Sequence, residues 1–306
     1  MNIIQQMFGV HNEYFLEKHW PTLPYVLQGD MNRFTELSSL EELHDIEKLL
    51  SVLNDSVDLL FPGGKRISVS DKFEALSAHT NGEAMIYIKN MEVIPAISSA
   101  CDDLAHTLAV PRQYVSCEAF AANRDVEVAT HFDHETNFMI QIKGEKTWRF
   151  AENTSLPDPI YPYFPNNPNR FYQNGRHPYT GAQLPREMPT KNEEHLVRPG
   201  TTTFMPRGYW HSTTSHEESF SIGFVINPPT IADIISYAVL EQLHSVEALR
   251  AHPLATHPTN NDDILLNIIQ KGLNKMRNLS IEFSAEDLLH RYKSSKKGNT
   301  RNLSPI

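Results

Sequence analysis

The stretch Thr130–Phe150, THFDHETNFMIQIKGEKTWRF, decides how this chain is read. It places His131, Asp133 and His134 within four positions, runs through an apolar segment, and reaches Gly144 and Lys146. In a strand, residues two apart share a face, so His131 and Asp133 point together and His134 points away. With Gly144 and Glu145 at the tip of a tight turn, the segment is expected to form a hairpin that pairs Lys143 with Lys146 and Gln141 with Trp148. On that register Asn137, Met139 and Gln141 share a side with Lys146, Trp148 and Phe150, and Phe138, Ile140 and Ile142 take the other. One side is apolar. The other sets polar groups among large side chains, as a barrel interior with a site would. The bland alternative is a hydrogen-bonded His–Asp pair and an exposed turn lysine.

Around this stretch, from about Arg112 to Ile226, the pattern is one of short strands: YVSCEAFAA, NFMIQIKG, EKTWRFA, TTTFMP and SFSIGFVI. They are rich in β-branched and aromatic residues and separated by turn signals, which predicts a sandwich or barrel over residues 111–228. Residues 151–199, crowded with Pro, Asn, Tyr and Gly, read as an ordered insertion packed on that barrel and covering a substrate. Residues 1–110 mix helical and extended patterns and are expected to pack on the barrel. There, SSLEELHDIEKLLSVL sets Ser39 three residues before Glu42, a capping-box signature. Residues 229–294 return to helix behind a Thr230 cap, and 295–306 read as a mobile tail.

Hydrophobic residues make up 40% of the 306 and charged residues 21%, the balance of a globular protein with a sizeable core. The formal net charge of −10 opposes a basic nucleic-acid footprint, so no direct nucleic-acid binding is expected. No apolar run is long enough to span a membrane. The N-terminus lacks a secretory pattern, and Cys101 and Cys117 supply neither a disulfide framework nor a cysteine zinc site. A reducing cytoplasm is the expected location, and both cysteines read as core residues.

Two ligands do not make a metal site, and GTTTFMPRGYWHSTTS supplies a third. Its Gly200, Pro206, Gly208 and His211 are spaced like the second motif of the cupin superfamily, and HFDHETNFMIQIKG resembles the first, with an aspartate in place of a second histidine. Two imidazoles and a carboxylate form the facial arrangement of non-haem Fe(II) oxygenases. A 2-keto acid chelates through two of the open positions and leaves the third for O₂. Its distal carboxylate needs a buried cation, and Lys146 lies on the right face, thirteen residues after Asp133.

At this point the resemblance narrows. Residues His131–Phe150 look like the jumonji C (JmjC) 2-oxoglutarate oxygenases of the cupin type, close to the asparaginyl-hydroxylase branch in H-x-D, N-F and Q-I-K-G-x-K. HLVRPGTTTFMPRGYWHSTTSHEESFSIGF, the N-terminal FLEKHWPTLPYVLQGD and the later ALRAHPLA look more like the bacterial ribosomal-oxygenase branch. The resemblance spans roughly residues 14–254. It implies a mainly β fold with flanking helices, a double-stranded β-helix or jelly-roll barrel. It also implies Fe(II) on His131, Asp133 and His211, and 2-oxoglutarate on the metal and Lys146, with Asn137 as a further polar contact. Two departures stand out: Val128 three residues before the first ligand, and Cys117-Glu118-Ala119 where the ribosomal branch often has Asn-x-Tyr.

The implied activity is hydroxylation of a C–H bond on an amino-acid side chain of a protein or peptide. N-methyl demethylation and hydroxylation of a free amino acid or natural-product small molecule stay open. A cupin isomerase and a barrel that binds without turnover are different classes, and the triad with Lys146 argues against both. Family members often dimerise through helices after the barrel, which implies a homodimer surface there.

Overall fold

The computed structural model describes residues 1–62, 65–167, 179, 183–250, 252, 261–277 and 283–294. The chain divides into two compact units, one of Met1–Pro228 and the other of Pro229–Pro305.

Among the described residues of the first unit, twelve strands run β1 Tyr25–Leu27, β2 Val57–Leu60, β3 Arg66–Val69, β4 Met85–Ile88, β5 Val115–Ala122, β6 Glu127–His131, β7 Thr136–Lys143, β8 Lys146–Ala151, β9 Glu193–Val197, β10 Thr202–Met205, β11 Trp210–Ser215 and β12 Ser219–Ile226. They form an eight-stranded sheet, ordered β1-β10-β7-β12-β5-β4-β2-β3, and a four-stranded sheet, ordered β6-β11-β8-β9. From β5 onward the chain alternates between the sheets almost strand by strand, as a double-stranded β-helix requires. The fold is a jelly roll with flanking helices.

Residues β1–β4 show that the N-terminal segment supplies four strands to the larger sheet, one at its β10 edge and three beyond β5. Five helices accompany them: α1 Ile3–Phe8, α2 Asn12–Lys18, α3 Ile46–Val52, α4 Lys72–Thr80 and α5 Pro95–Thr107. Ser39 does not cap a helix. It sits in a 3-10 turn, and α3 begins later, where the Asp45 side chain accepts from the Glu47 and Lys48 amides. Aspartate, with a charged acceptor on a short stem, is as good a cap as serine, and here it stands at the right place.

The larger sheet is two-faced. Phe138 and Ile140 of β7, Phe204 of β10 and Phe220, Ile222, Phe224 and Ile226 of β12 enter the main core. Phe8 and Phe15 of the first two helices join it, Phe15 meeting Phe204 edge-on with ring centroids 5.0 Å apart. Each fully buried phenylalanine stabilises by roughly 1.5–3 kcal/mol. The other face of β12 carries Ser219, Ser221, Gly223 and Val225, small residues that leave space between the sheets.

The expected hairpin is not there. β7 pairs with β10 and β12, whereas β8 pairs with β11 and β9. Gly144 and Glu145 carry the chain from one sheet to the other, so the two strands face each other instead of sharing hydrogen bonds. Asn137 and Met139 still look toward Lys146 and Trp148, but across the space between sheets. Gln141 is tied back to the corner, its amide donating to the Lys143 carbonyl at 2.6 Å. Phe150 packs with Trp148, Met139, Val197 and Met205 in a separate apolar cluster.

The insertion is shorter than expected, because Glu193–Val197 is strand β9 of the smaller sheet. Of the rest, Tyr163 pairs with Phe132, and Tyr161 and Tyr179 pack beside Ala151 and Trp210. Residues 168–178 and 180–182 lie outside the described residues, as does the tail 295–306. Cys101 and Cys117 are both buried.

The second unit holds α6 Ile231–Ser245, α7 Asn261–Arg277 and α8 Ala285–Ser294. α6 starts in a capping box between Thr230 and Asp233. It stops at Ser245, and a 3-10 turn over Glu247–Leu249 follows. Among the described residues no helix is long and apolar enough to cross a membrane.

The corner at Gly144 has φ +74°, and a Cβ there would strike the Glu218 carbonyl and lie 2.9 Å from Ser219 Cα. Gly144→Ala is therefore expected to lower stability by about 2 kcal/mol or more, from strain plus clash, as a reduced midpoint in urea unfolding. An unchanged midpoint would show that the corner is not constrained.

Candidate metal centre

β6 and β11 are antiparallel neighbours, and their register places His211 directly opposite His131. The two rings lie 4.1 Å apart between centroids. Asp133, two residues past the end of β6, puts its Oδ2 3.6 Å from His131 Nε2 and 3.4 Å from His211 Nε2. One donor atom from each of the three residues lies within 4.8 Å of the others, a grouping that could hold a metal ion.

The second motif explains the placement. Gly208, at φ +84°, donates its amide to the Asp133 carbonyl at 2.9 Å, fixing the aspartate segment against the turn that leads into β11. Each imidazole is oriented from behind. His131 Nδ1 lies 2.7 Å from the Ala129 carbonyl, and His211 Nδ1 lies 3.0 Å from the Tyr209 carbonyl. A carbonyl only accepts, so each Nδ1 carries the proton and each Nε2 presents a lone pair to the centre. Phe164 stacks on His131 with centroids 4.8 Å apart, and Trp148 stacks on His211 at 5.9 Å.

Charge at the centre is already poised for a cation. Burial pushes His211 below its usual range, aided by the neighbouring His131, which keeps it neutral near pH 7. Burial also pushes Asp133 up, but the two imidazoles outweigh it and hold the carboxyl well below the usual carboxylate range.

The same cavity is lined by Lys146, Asn137, Glu118 and Ser221 among Met85, Phe120, Val128, Met139, Trp148 and Met205. Lys146 is 5% exposed, and its ammonium reaches Ser221 Oγ at 3.3 Å with no carboxylate partner among the described residues. Burial lowers its pKa to about 8. Asn137 Oδ1 is buried without a hydrogen-bond partner. His134 stays off this cavity, its ring 3.5 Å from the Asn227 amide, and His216 bonds Thr147 on the exposed side. Sequence reasoning missed Glu118. It flanked the buried Cys117 and Ala119, and the alternation of β5 alone would have turned it toward the ligand side.

Residues 90–234 match the family model described as the JmjC domain. Among curated proteins, it is 29% identical over 244 residues to the uncharacterized protein YxbC of Bacillus subtilis (strain 168), covering 77% of this chain and 74% of that one. Among solved structures it is similar to YcfD, a ribosomal oxygenase from Escherichia coli, in complex with cobalt and 2-oxoglutarate. That match has 15% identity, a TM-score of 0.50, and covers 94% of this chain and 72% of the other. An X-ray structure of E. coli ycfD matches at 18% identity and a TM-score of 0.48 over 87% and 67%. At 15% identity, the match with a TM-score of 0.50 shares the fold.

Lys146 gives a signed prediction. A buried base whose folded pKa of about 8 lies below its unfolded value binds fewer protons when folded. Below pH 8 both states are protonated and the burial cost is in full force. As pH rises from about 8 toward 10.5 the folded state loses its proton first, so this contribution to stability rises. Lys146→Met should therefore raise the melting temperature of the ligand-free protein at pH 7 by several degrees and abolish the alkaline rise. Calorimetry at pH 7 and 9.5 checks this, and a variant less stable than wild type at pH 7 contradicts it.

Proposed function

We propose that the chain is an Fe(II)- and 2-oxoglutarate-dependent oxygenase that hydroxylates a C–H bond on an amino-acid side chain of a protein or peptide. One observation carries the reading: two oriented imidazoles and a carboxylate converge in a cavity that also holds an ammonium without a counter-ion. Two nitrogen donors and one oxygen donor suit ferrous iron and leave a face open. The residues fit the co-substrate too. An uncompensated buried cation is costly, and a bound carboxylate would supply its counter-charge.

His131 and His211, through Nε2, and the Asp133 carboxylate would hold the metal. Lys146, beside Ser221, would take the distal carboxylate of the keto acid, with Asn137 as a further polar contact. Ser215 pairs with Lys146 on the strand that bears His211, four residues away, a rise of about 13 Å. A lysine stem and a five-carbon diacid together bridge that span. Iron with 2-oxoglutarate and O₂ supplies the oxidation that converts C–H to C–OH, releasing succinate and CO₂. Met139, Trp148 and Met205 surround these groups with apolar side chains, which lowers the local dielectric and strengthens each polar contact. The E. coli fold neighbour, a ribosomal oxygenase solved with cobalt and 2-oxoglutarate, supports both the co-substrate and a protein substrate.

Anaerobic titration with Fe(II) and then 2-oxoglutarate is expected to produce a weak visible metal-to-ligand charge-transfer band. His211→Ala should abolish the band, and Lys146→Ala should shift its keto-acid midpoint at least tenfold upward. A wild-type protein without the band, or a band that persists unchanged in His211→Ala, disproves the assignment.

A further inference from the structure

The imidazole of His131 is braced by a segment that belongs to neither metal motif. Residues 158–164 lie beyond the end of β8 and are tied to both ligand-bearing segments. Tyr163 and Phe132 exchange amide-to-carbonyl hydrogen bonds at 3.0 and 3.2 Å, and Phe132 stands between His131 and Asp133. Arg207, four residues before His211, donates from Nε and Nη2 to the Pro159 carbonyl at 2.8 and 2.6 Å. Gly208 permits the approach, since a Cβ there would lie 2.8 Å from Pro159 Cδ. Apolar packing completes the attachment, Tyr163 meeting Trp210 edge-on at 5.9 Å. What the attachment delivers is Phe164. Its ring lies 7° from parallel to the His131 imidazole, with centroids 4.8 Å apart. The Ala129 carbonyl fixes that imidazole at one point, Nδ1, and the flat phenyl fixes its plane. Trp148, which stacks on His211, also lines the cavity, whereas Phe164 does not, so its part is played through the imidazole.

We propose that Phe164 is a positioning residue of the metal centre, acting through His131 and favouring the metal-loaded imidazole over the empty one. The inference rests on the metal triad of the oxygenase reading and adds a fourth group behind it. A divalent cation bound at Nε2 draws electron density from the imidazole and leaves the ring partly positive. A partly positive ring is attracted to the face of a phenyl group. A neutral imidazole gains only the ordinary offset stacking of two aromatic rings. The difference between the two states is metal affinity. An aliphatic side chain of similar volume would cover the imidazole but offer it no π-face. Arg207 enters the same argument from the other end of the segment. Loosening its hold on Pro159 slackens the brace without altering either ring.

The test titrates the full chain, stripped of metal, with Co(II) alone. Affinity is read by calorimetry and coordination by the visible d–d bands. Phe164→Leu is expected to bind Co(II) several-fold more weakly than wild type and to shift the bands, while the melting temperature of its metal-free form changes little. Phe164→Tyr, which keeps the π-face, should restore both affinity and bands. Arg207→Met, which lacks the hydrogen bonds to Pro159, should lose affinity in the same direction. Wild-type affinity and bands in Phe164→Leu, with or without a lower metal-free melting temperature, would show a merely structural role and overturn the proposal. A loss that Phe164→Tyr does not restore overturns it as well. Should Phe164→Leu fail to fold, Arg207→Met decides, and wild-type Co(II) affinity in that variant is the contrary result. A wild-type protein that binds no Co(II) instead overturns the metal centre and the oxygenase reading with it.

Discussion

The register between β6 and β11 is the constraint on which the rest of the site depends. Because His211 stands opposite His131, two residues eighty positions apart in sequence bring their rings to 4.1 Å. A slip of one residue would turn His211 to the outer face. Three local devices hold the register in place. The Gly208 amide anchors the Asp133 carbonyl, the Ala129 and Tyr209 carbonyls fix the ring tautomers, and Trp148 and Phe164 brace the ring faces. The ligands are preorganised by the protein's own hydrogen bonds, so binding a metal need not reorganise them.

The larger sheet serves two purposes with one alternation. Its outer face, phenylalanine and isoleucine, packs on the N-terminal helices and fixes the sheet. Its inner face is stepped, Met139 and Val225 beside Ser221 and Gly223, and a cavity remains between the sheets. Strands β2–β4 widen this sheet past the barrel, and through Met85 they add to the cavity a side chain that no barrel strand supplies.

Much of this was legible in the chain. The period-two pattern placed His131 with Asp133 and sent His134 away, and the Gly–Pro-x-Gly–His spacing located the third member. What failed was the hairpin. KGEK looks like a tight turn because a glycine at positive φ serves either a hairpin or a corner between sheets, and local sequence does not distinguish them. The partition of faces survived the error, since strands that face each other across a sandwich also look toward one another. Glu118 was missed for a different reason. Between a cysteine and an alanine it resembles the solvent-side residue of an amphipathic strand: alternation sets it opposite the core-facing Cys117 and Ala119, and the second sheet makes that side interior.

That interior is expensive for a fold. Lys146, Glu118 and the orphaned oxygen of Asn137 all face one space, and each unsatisfied buried group costs on the order of 1–3 kcal/mol, charged ones more. Against a net folding stability of about 5–15 kcal/mol such a concentration is not a neutral accident of packing. An apolar side chain at any of the three positions would stabilise the empty protein. The ammonium faces the side of Ser221, where an anionic ligand would supply its counter-charge. Stability given up in the empty state returns as binding energy when the missing partners arrive. The same burial that penalises these groups when alone makes them discriminating, because a ligand lacking the matching charge leaves the penalty in place.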